Sequence, residues 1–387
     1  MTMWNRIAAT GAVLGAGLAA SVASAEVNLP STMVWTAYNT GTSGYNQAVG
    51  IGSVLKNKYG VNLRVLPGKN DVSRLTPLTK GIAQFSATGS DSVYSQEAVY
   101  TFGQRNWGPQ PIRLLMHNVA DGCAVSMATA ADAGVKTMAD LKGKRVAWVQ
   151  GAPALQKAVE AMLAGANLTW DDVVKVEVGG YGASIDAIIN GDADSAEGAT
   201  FSTTMLKIDA SPRGLMHPPS PHADKEAWKR IRSVVPWYFP HRCMQGAGVP
   251  EGGYEGVGAA YPILVSTTQV SNDVAYNMTK AMYEHYDDYK DSAPGANGWH
   301  WDRQKLEEVF LPFHEGAVKY YKEVGKWSDK AQANQDANLA RQKVLMDAWK
   351  AYTASASSDD DAFNTGWMKA RADALKAAGM TPVFETW

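Results

Sequence analysis

Residues 33–45 read MVWTAYNTGTSGY, a β-favouring run that leads into a turn of glycine and hydroxyl-bearing residues. Residues 45–58 follow with apolar side chains at helical spacing, which predicts a helix. The next segments predict a strand over 61–66, a helical turn over 75–80 and a strand over 82–88. Strand, helix, strand, helix, strand is the order of a mostly parallel sheet, and such sheets bind ligands beyond their strand ends.

The chain repeats this organisation in its next segment. Strands are predicted over 123–127, 145–149 and 174–178, and a helix follows each of the last two. Two similar α/β units in one chain indicate a two-lobed protein that holds a ligand between its lobes.

The remainder of the chain is predicted to be a loop-rich segment followed by helices. Six prolines interrupt residues 217–258 and argue against regular elements there. A strand over 261–266 precedes amphipathic helices, which are predicted over 272–289, 309–324, 334–352 and 361–378. We therefore predict lobe I from residues 26–120 and 255–310, lobe II from residues 121–254, and C-terminal helices over 311–387 that pack on the lobes.

Residues 1–25 have the three parts of an export signal peptide. Arg6 provides the positive start, residues 7–20 are apolar or small without a charge, and Ala23-Ser24-Ala25 fits the small-x-small cleavage rule. The alternative is a membrane anchor, but the uncharged run is short for a span and is diluted by small and hydroxyl-bearing residues. We predict cleavage after Ala25 and a soluble mature protein in the periplasm.

The composition is that of a globular protein, with 45% hydrophobic and 19% charged residues among 387, which is enough chain for two domains. The formal net charge is −2 and lysine and arginine form no run, which argues against nucleic acid as a partner. The two cysteines, Cys123 and Cys243, can form a disulfide in an oxidising compartment. The sequence leaves their pairing open, and no cysteine or histidine spacing supports a metal site.

Several short segments in a fixed order carry a family resemblance. They are IAQFSATGSD at 82–91, DLKGKRV at 140–146, GDAD at 191–194, VPEGGY at 249–254 and PFHEGAVKYY at 312–321. Together with the Gly/Thr-rich first loop, they resemble the solute receptors of TRAP transporters, in the branch called TAXI (TRAP-associated extracytoplasmic immunogenic proteins). The DLKGKRV segment is common among periplasmic binding proteins, whereas the last segment is typical of the TAXI branch.

The resemblance implies an α/β, two-lobed fold like that of periplasmic binding proteins, a type II-like clamshell with hinge strands and C-terminal helices. It also implies a receptor that closes on a small polar organic solute, an organic acid or an amino-acid-like compound, and delivers it to an integral-membrane TRAP permease. Such a receptor uses no cofactor, performs no chemistry and acts as a monomer. The main alternative is the receptor of an ATP-driven transporter or of a sensor kinase, because these use the same clamshell.

The first loop is predicted to contact the ligand through Thr40, Gly41, Thr42, Ser43, Gly44 and Tyr45. Gly41 and Gly44 let the backbone approach a ligand closely, and the following helix points its N-terminal amides at the cleft. The hydroxyl groups of the loop are further donors. The family pattern has a glycine where this chain has Ser43, so the loop is kept while its chemistry changes. The alternative is a plain turn that starts a helix.

The loop after the strand at 82–88 faces the same predicted cleft. Ser90 is expected to donate to the ligand, and Tyr94 is expected to lie over it one helical turn later. Asp91 either accepts from a ligand amine or caps the next helix.

The second lobe supplies the remaining predicted contacts, which are Gln150, Gly151, Ala152, Tyr181, Glu197, Thr200 and Phe201. The family commonly has Gly-Ser-Gly-Thr where residues 151–154 read Gly-Ala-Pro-Ala, so two hydroxyl donors are lost and Pro153 lacks an N–H. Amides at this helix start still suit a carboxylate, and Gln150 replaces part of the lost hydrogen bonding. For the residues from Tyr181 onward, a core or surface position is the alternative.

Two short patterns carry the enzymatic and metal-binding alternatives. Ser53 and Lys56 have the SxxK spacing of some serine acyl enzymes, but the companion SDN and KTG motifs are absent, so we expect them on the outer face of the first helix. Metal-ligand side chains without a metal-motif spacing occur at His300, Asp302, His314 and Glu315. We expect His314 and Glu315 to cap a helix or contact the lobes. The chain is predicted not to be an enzyme, with a periplasmic serine hydrolase as the least-favoured alternative.

Overall fold

The protein, represented by a computed structural model, is described over residues 26–387, so the predicted signal peptide lies outside the described residues. Two five-stranded mixed sheets with flanking helices form two lobes. The predicted fold class, a two-lobed α/β protein, is therefore confirmed.

The first lobe opens with alternating strands and helices, as predicted. Its elements are β1 (Thr32–Tyr38), α1 (Ser43–Tyr59), β2 (Asn62–Gly68), α2 (Asp71–Thr79), β3 (Phe85–Thr88), α3 (Ser90–Glu97) and β4 (Ile112–His117). The Thr42 side chain caps the start of α1, and Gly60 ends it in the left-handed conformation that glycine adopts without strain. The sequence prediction lacks β4 and starts α2 four residues too late.

The second lobe contains β5 (Ser126–Ala130), β6 (Arg145–Val149), α4 (Pro153–Gly165), β7 (Val174–Val178), α5 (Tyr181–Asn190), β8 (Ser195–Gly198), α6 (Thr203–Asp209), β9 (Leu215–Met216), α7 (Lys225–Val234), β10 (Phe239–Cys243) and β11 (Tyr254–Gly258). The bounds of β6 and β7 agree with the prediction. The strand predicted over 123–127 is displaced, because residues before Ser126 form the passage between the lobes.

The chain then returns to the first lobe with β12 (Ile263–Thr267), α8 (Asn272–Glu284), α9 (Tyr286–Tyr289), α10 (Glu315–Glu323), α11 (Asp329–Thr353) and α12 (Asp360–Ala377). The strand orders are β2-β1-β3-β12-β4 and β7-β6-β8-β5-β9. Each sheet has three parallel strands and then an antiparallel strand, β12 or β5, that the chain enters from the other lobe. The carboxyl ends of the parallel strands of both sheets point towards the cleft.

The predicted loop over residues 217–258 is wrong, because α7 and the antiparallel hairpin β10–β11 lie within it. Its prolines stand where regular structure tolerates them. Pro221 and Pro236 flank α7, whose first turn is capped by the Asp224 side chain. Pro240 lies in a two-stranded ribbon, where the outer edge of the strand needs no backbone donor.

The chain crosses between the lobes twice, between β4 and β5 and between β11 and β12. Cys123 in the first crossing forms a disulfide with Cys243 at the end of β10, with 5.0 Å between the Cα atoms. The Thr200 hydroxyl accepts a hydrogen bond from the Cys123 amide (3.0 Å) and donates one to the Gln245 carbonyl (2.7 Å). The β10–β11 hairpin is thus fastened to one of the two hinge segments.

The C-terminal helices pack on elements of the first lobe. Helix α10 lies against α8. Glu97, at the end of α3, forms buried ion pairs with Arg341 of α11 and Arg371 of α12. No helix in the described residues is both long and apolar enough to cross a membrane.

Candidate ligand site between the lobes

Loops of the two lobes meet directly across the cleft. The hydrogen bonds between them join Asn39 to Gly182, Gly41 to Ser202 and Thr203, Asn46 to Thr203, Lys69 to Tyr181, Asn70 to Gln150, Asp71 to Ala154, Val72 to Gly151, and Ser90 to Trp237. The first-lobe residues follow β1, β2 and β3. The second-lobe residues follow β6, β7 and β8, except Trp237, which lies between α7 and β10. The two lobes are therefore in a closed arrangement.

Closure leaves a narrow cavity with walls from both lobes. Its lining includes Tyr38, Thr42, Ser43, Arg74, Ser90, Val125, Leu155, Tyr181, Glu197, Ser202, Tyr238 and Tyr261. Its volume of about 50 Å³ is room for a few waters, since one water needs roughly 10–15 Å³ on this measure. A second cavity of about 550 Å³ adjoins it and shares Ser90 and Tyr238 as wall residues.

The first-lobe wall contains a buried arginine between two aspartates. The Arg74 guanidinium lies 2.8 Å from Asp91 and 3.3 Å from Asp71, and all three side chains are at most 1% exposed. The guanidinium also lies over the Tyr38 ring, 3.7 Å from its centroid. Asp71 accepts further hydrogen bonds from the Tyr38 hydroxyl and from the N–H of Ala154 at 2.7 Å. Every charge on this wall has a partner.

Asp71 and Asp91 compete for the single positive charge of Arg74. Burial and the negative charge of Asp91 raise the pKa of Asp71 to about 7, against the opposing effect of Arg74. Asp91 is held by the amide of Gly89 (2.9 Å) and the hydroxyl of Thr88 (2.5 Å) in addition to Arg74. With both aspartates ionised, this cluster has a net charge of −1.

The second-lobe wall contains a carboxylate without a partner. Glu197 lies on β8, where its backbone is opposite Met127 of β5, and its side chain lines the cavity. Among residues 26–387, no hydrogen bond or ion pair involves its carboxylate. Burial and the negative charge of Asp71 raise the pKa of Glu197 to about 8, and Arg74 only partly opposes this. The carboxyl group is therefore mostly protonated at neutral pH while the cavity has no bound ligand.

Four tyrosines form much of the remaining wall. Tyr38 and Tyr181 belong to opposite lobes and stack with their ring centroids 5.6 Å apart and an interplanar angle of 1°. Tyr238 and Tyr261 line the cavity near the hinge. Rings with a polar edge suit a small solute that has both apolar and polar groups.

The structure brings together five of the residues predicted to bind ligand, which are Thr42, Ser43, Ser90, Tyr181 and Glu197. Three more, Gly41, Gln150 and Gly151, form interlobe hydrogen bonds through their carbonyl groups beside the cavity. Gly41 and Gly151 have φ angles of +89° and +65°, which favour glycine.

The other predicted contacts lie outside the cavity lining. Thr40 is exposed, Gly44 and Tyr45 belong to the first turn of α1, and Ala152 precedes α4. Thr200 supports the hinge, and Phe201 is in the core of the second lobe.

Asp91 and Tyr94 are both buried in the first lobe. Asp91 is the partner of Arg74, and its carboxylate does not cap α3. Tyr94 packs against Tyr100 and Phe384 in the core of the first lobe and is not part of the cavity lining.

Sequence reasoning missed Tyr38, Asp71, Arg74, Tyr238 and Tyr261. A usable pattern was present for two of them. Asp71 and Arg74 stand three residues apart at the start of the helix that follows β2, and such positions at the carboxyl ends of parallel strands line clefts. The tyrosines gave no comparable pattern, because their sequence neighbourhoods are irregular.

The residues of the SxxK pattern and of the group of metal-ligand side chains lie outside the cavity, and most of them make structural contacts. Ser53 and Lys56 are exposed on α1, and the Lys56 ammonium donates to Asn62 at 2.7 Å. His314 caps α10 by accepting from the N–H of Gly316, and Glu315 pairs with Arg113. His300 accepts a hydrogen bond from the amide of Asp302.

Comparison with known proteins identifies one family. A sequence profile described as the NMT1-like family matches residues 36–325. No curated protein matches the sequence.

Three solved structures illustrate the similar folds. A protein from Bordetella bronchiseptica RB50 is 15% identical, with a TM-score of 0.44 over 80% of this chain and 89% of that chain. An ancestral arginine-binding protein bound to arginine is 11% identical, with a TM-score of 0.43 over 70% and 99%. The alkanesulfonate-binding protein of Xanthomonas axonopodis pv. citri bound to MOPS is 12% identical, with a TM-score of 0.38 over 82% and 95%.

Proposed function

The chain belongs to the NMT1-like family, and on this premise we propose that it is the solute-binding subunit of a TRAP transporter of the TAXI type. It captures a small polar organic solute, an organic acid or an amino-acid-like compound, between its lobes in the periplasm. It then delivers this solute to an integral-membrane permease. The chain itself performs no chemistry and works as a monomer without a cofactor.

The observation that carries the proposal is the closed cavity with polar walls from both lobes. A solute that contacts Ser43 and Ser90 on one lobe and Glu197 on the other gains interactions only when the lobes are closed. Such a ligand shifts the population towards the closed form by its difference in affinity for the two forms. The two chain crossings are the hinge segments on which the lobes open.

The hinge disulfide supports the proposed location. Disulfides persist in oxidising compartments such as the bacterial periplasm. The bond between Cys123 and Cys243 fits export of the chain after cleavage at Ala25.

A ligand screen with a structural readout tests the receptor function. The exported protein, refolded to remove carried-over ligand, is heated with organic acids, amino acids and sulfonates. A bound solute raises the unfolding temperature, because it binds the folded state alone. Small-angle scattering with the hit at saturation is expected to show a smaller radius of gyration, and an unchanged radius would contradict closure.

Transport assays separate the TRAP proposal from its main alternative. Proteoliposomes that contain the permease captured by the liganded receptor are expected to take up solute when an ion gradient is imposed without ATP. Uptake that requires ATP and ignores the gradient would assign the chain to an ATP-driven transporter instead.

A further inference from the structure

We propose that the cavity recognises a cationic amine, with Glu197 as the counter-ion of the bound solute. This inference rests on the proposed receptor function and names the chemical class of its solute. It starts from the one carboxylate in the cavity wall that has no partner in the described part of the chain.

The charges of the cavity favour a cation. Asp71, Asp91 and Glu197 place three carboxylates at or beside the cavity, against the single guanidinium of Arg74. Before a ligand binds, Glu197 is mostly protonated and Asp71 is near the midpoint of its titration, so the cavity has little surplus charge at neutral pH. A bound ammonium group favours the ionised form of Glu197, whereas a bound carboxylate favours the neutral form. Arg74 is also a poor site for a free carboxylate, because most of its N–H donors already serve other acceptors.

The hydrogen bonds of Arg74 show this directly. Its Nε atom donates to Asp91 at 3.2 Å, and its Nη2 atom lies 2.8 Å from Asp91 and 3.3 Å from Asp71. Its Nη1 atom points to the Ala87 carbonyl at 3.5 Å. Four of the five guanidinium N–H groups are therefore engaged, and the one that remains on Nη1 cannot hold a ligand carboxylate in a bidentate pair.

A buried hydroxyl with only weak hydrogen bonding lines the same cavity. The Ser43 side chain is 2% exposed, its hydroxyl has no well-formed hydrogen bond among the described residues, and the Tyr261 side chain in the same wall interacts with it. The Ser43 oxygen can still accept from a ligand donor, because a hydroxyl has two acceptor positions. An ammonium group has several N–H donors and can serve both the Glu197 carboxylate and the Ser43 oxygen.

The aromatic wall supplies a further attraction. Tyr181, Tyr238 and Tyr261 line the cavity around these two groups. Aromatic rings attract cations and also cover the methylene groups of an alkylammonium.

If Glu197 is the counter-ion, binding of an amine is coupled to loss of the Glu197 proton, and this coupling can be measured. The charged or titratable groups around Glu197 are Asp71, Arg74, Tyr181, Tyr238 and Tyr261. Without ligand, the pKa of Glu197 is about 8, so at pH 7 the carboxyl holds its proton. A bound ammonium favours the ionised form, so binding releases a proton. Affinity for an amine therefore rises by more than roughly tenfold from pH 6 to pH 8, while the ionised fraction of free Glu197 increases.

The test uses matched probes that differ only in the terminal group. The refolded exported protein is titrated calorimetrically with propylamine, propanol and propionate, and then with the corresponding two- to five-carbon series. We expect amines to bind, and the matched alcohols and acids to bind at least about tenfold more weakly, a difference of about 1.4 kcal/mol. Titration at pH 7 in buffers of different ionisation enthalpy is expected to show proton release.

Two variants test the roles of Glu197 and Ser43 in amine binding, and a third variant serves as the control. Glu197→Gln is expected to abolish both amine binding and proton release, and Ser43→Ala to weaken binding several-fold without changing the proton count. Glu226→Gln, an exposed glutamate on α7, serves as the control and is expected to bind like the unchanged protein.

Three results would overturn the inference. Binding of acids or alcohols but not amines would refute the amine class and leave the receptor function standing. Amine binding that Glu197→Gln leaves intact would refute the role of Glu197. Failure of every probe, together with failure of the wider solute screen, would count against the receptor function as well.

Discussion

The two walls of the cavity differ in whether their titratable groups have partners. On the first-lobe wall, Arg74 is held by Asp71 and Asp91, and Asp71 has two more donors. On the second-lobe wall, the half-buried Glu197 has no partner among residues 26–387. A buried charge normally occurs with a partner, because desolvation is costly. The first wall is therefore a preformed scaffold, and the second wall is where a ligand has an interaction to complete.

The largest expected effect comes from breaking the first wall. Arg74→Met leaves Asp71 and Asp91 buried together without a cation, which we expect to cost about 3–5 kcal/mol of unfolding free energy. Urea unfolding at pH 7 measures this loss. Arg64→Met, on the exposed face of β2, is the matched control and is expected to change stability by less than about 0.5 kcal/mol. Equal losses in the two variants would show that the Arg74 cluster is not structural.

The two aspartates of this wall are expected to differ in how much each contributes to stability. Asp91→Asn is expected to cost about 3 kcal/mol, because Asp91 makes the shorter ion pair and accepts from Gly89 and Thr88. Asp71→Asn is expected to cost only about 1 kcal/mol at pH 6, because the pKa of Asp71 is about 7 and its carboxyl is then largely neutral already. Unfolding of both variants at pH 6 decides the order, and a larger loss for Asp71→Asn would reverse our assignment of the main partner.

Replacement of Glu197 on the second wall is expected to stabilise the protein, whereas the substitutions on the first wall destabilise it. The pKa of Glu197 is about 8 in the folded protein against 4.5 in the unfolded chain. The folded state thus keeps a proton that the unfolded state has lost, and stability falls as pH rises from about 4.5 to 8. Glu197→Gln removes this loss, so the variant is expected to be about 4 kcal/mol more stable than the unchanged protein at pH 8 and nearly equally stable at pH 4.5.

Thermal unfolding without ligand, at several pH values, measures this difference. Glu226→Gln is again the control, since that side chain is exposed. A Glu197→Gln variant that is destabilised at pH 8 would mean that the carboxylate has a stabilising partner.

The smallest effect concerns the contact between the walls. The Thr203 hydroxyl of the second lobe donates to the Gly41 carbonyl at 2.6 Å and accepts from Asn46 at 3.2 Å. Thr203→Val removes both bonds from the closed form alone, which is expected to cost about 1 kcal/mol and to weaken ligand affinity about fivefold. Thr353→Val, whose hydroxyl bonds only within α11, should leave affinity unchanged. Calorimetry with the first ligand found measures both.

Much of the fold could be predicted, because the spacing of apolar residues along a segment indicates whether that segment forms a strand or a helix. The bounds of β6 and β7 agree with the alternating apolar runs at 145–149 and 174–178. The prediction failed over 217–258, where prolines were taken to exclude regular structure. Whether a proline disrupts an element depends on its place at an end or an outer edge, and that place is set by the neighbouring segments.

The candidate site was only partly predictable. Ser43, Ser90 and Glu197 were found because loops and strand ends of α/β sheets face the cleft. Tyr94 was expected over the ligand but lies in the core of the first lobe, since the rotation of a short helix about its axis is not fixed by spacing alone. Asp71 and Arg74 were missed because charged residues in a helical first turn usually lie in water.

The sequence by itself determined the two α/β units and the order of most of their strands and helices, because these follow from the periodicity and composition of neighbouring residues. Only the tertiary structure decided which charges are paired. Arg74 follows β2 and Asp91 follows β3, and they meet because these strands lie on either side of β1 in the sheet. Glu197 comes close to them because the lobes close. Electrostatic energy depends on distance and burial, and residues far apart in the chain acquire both only when it folds.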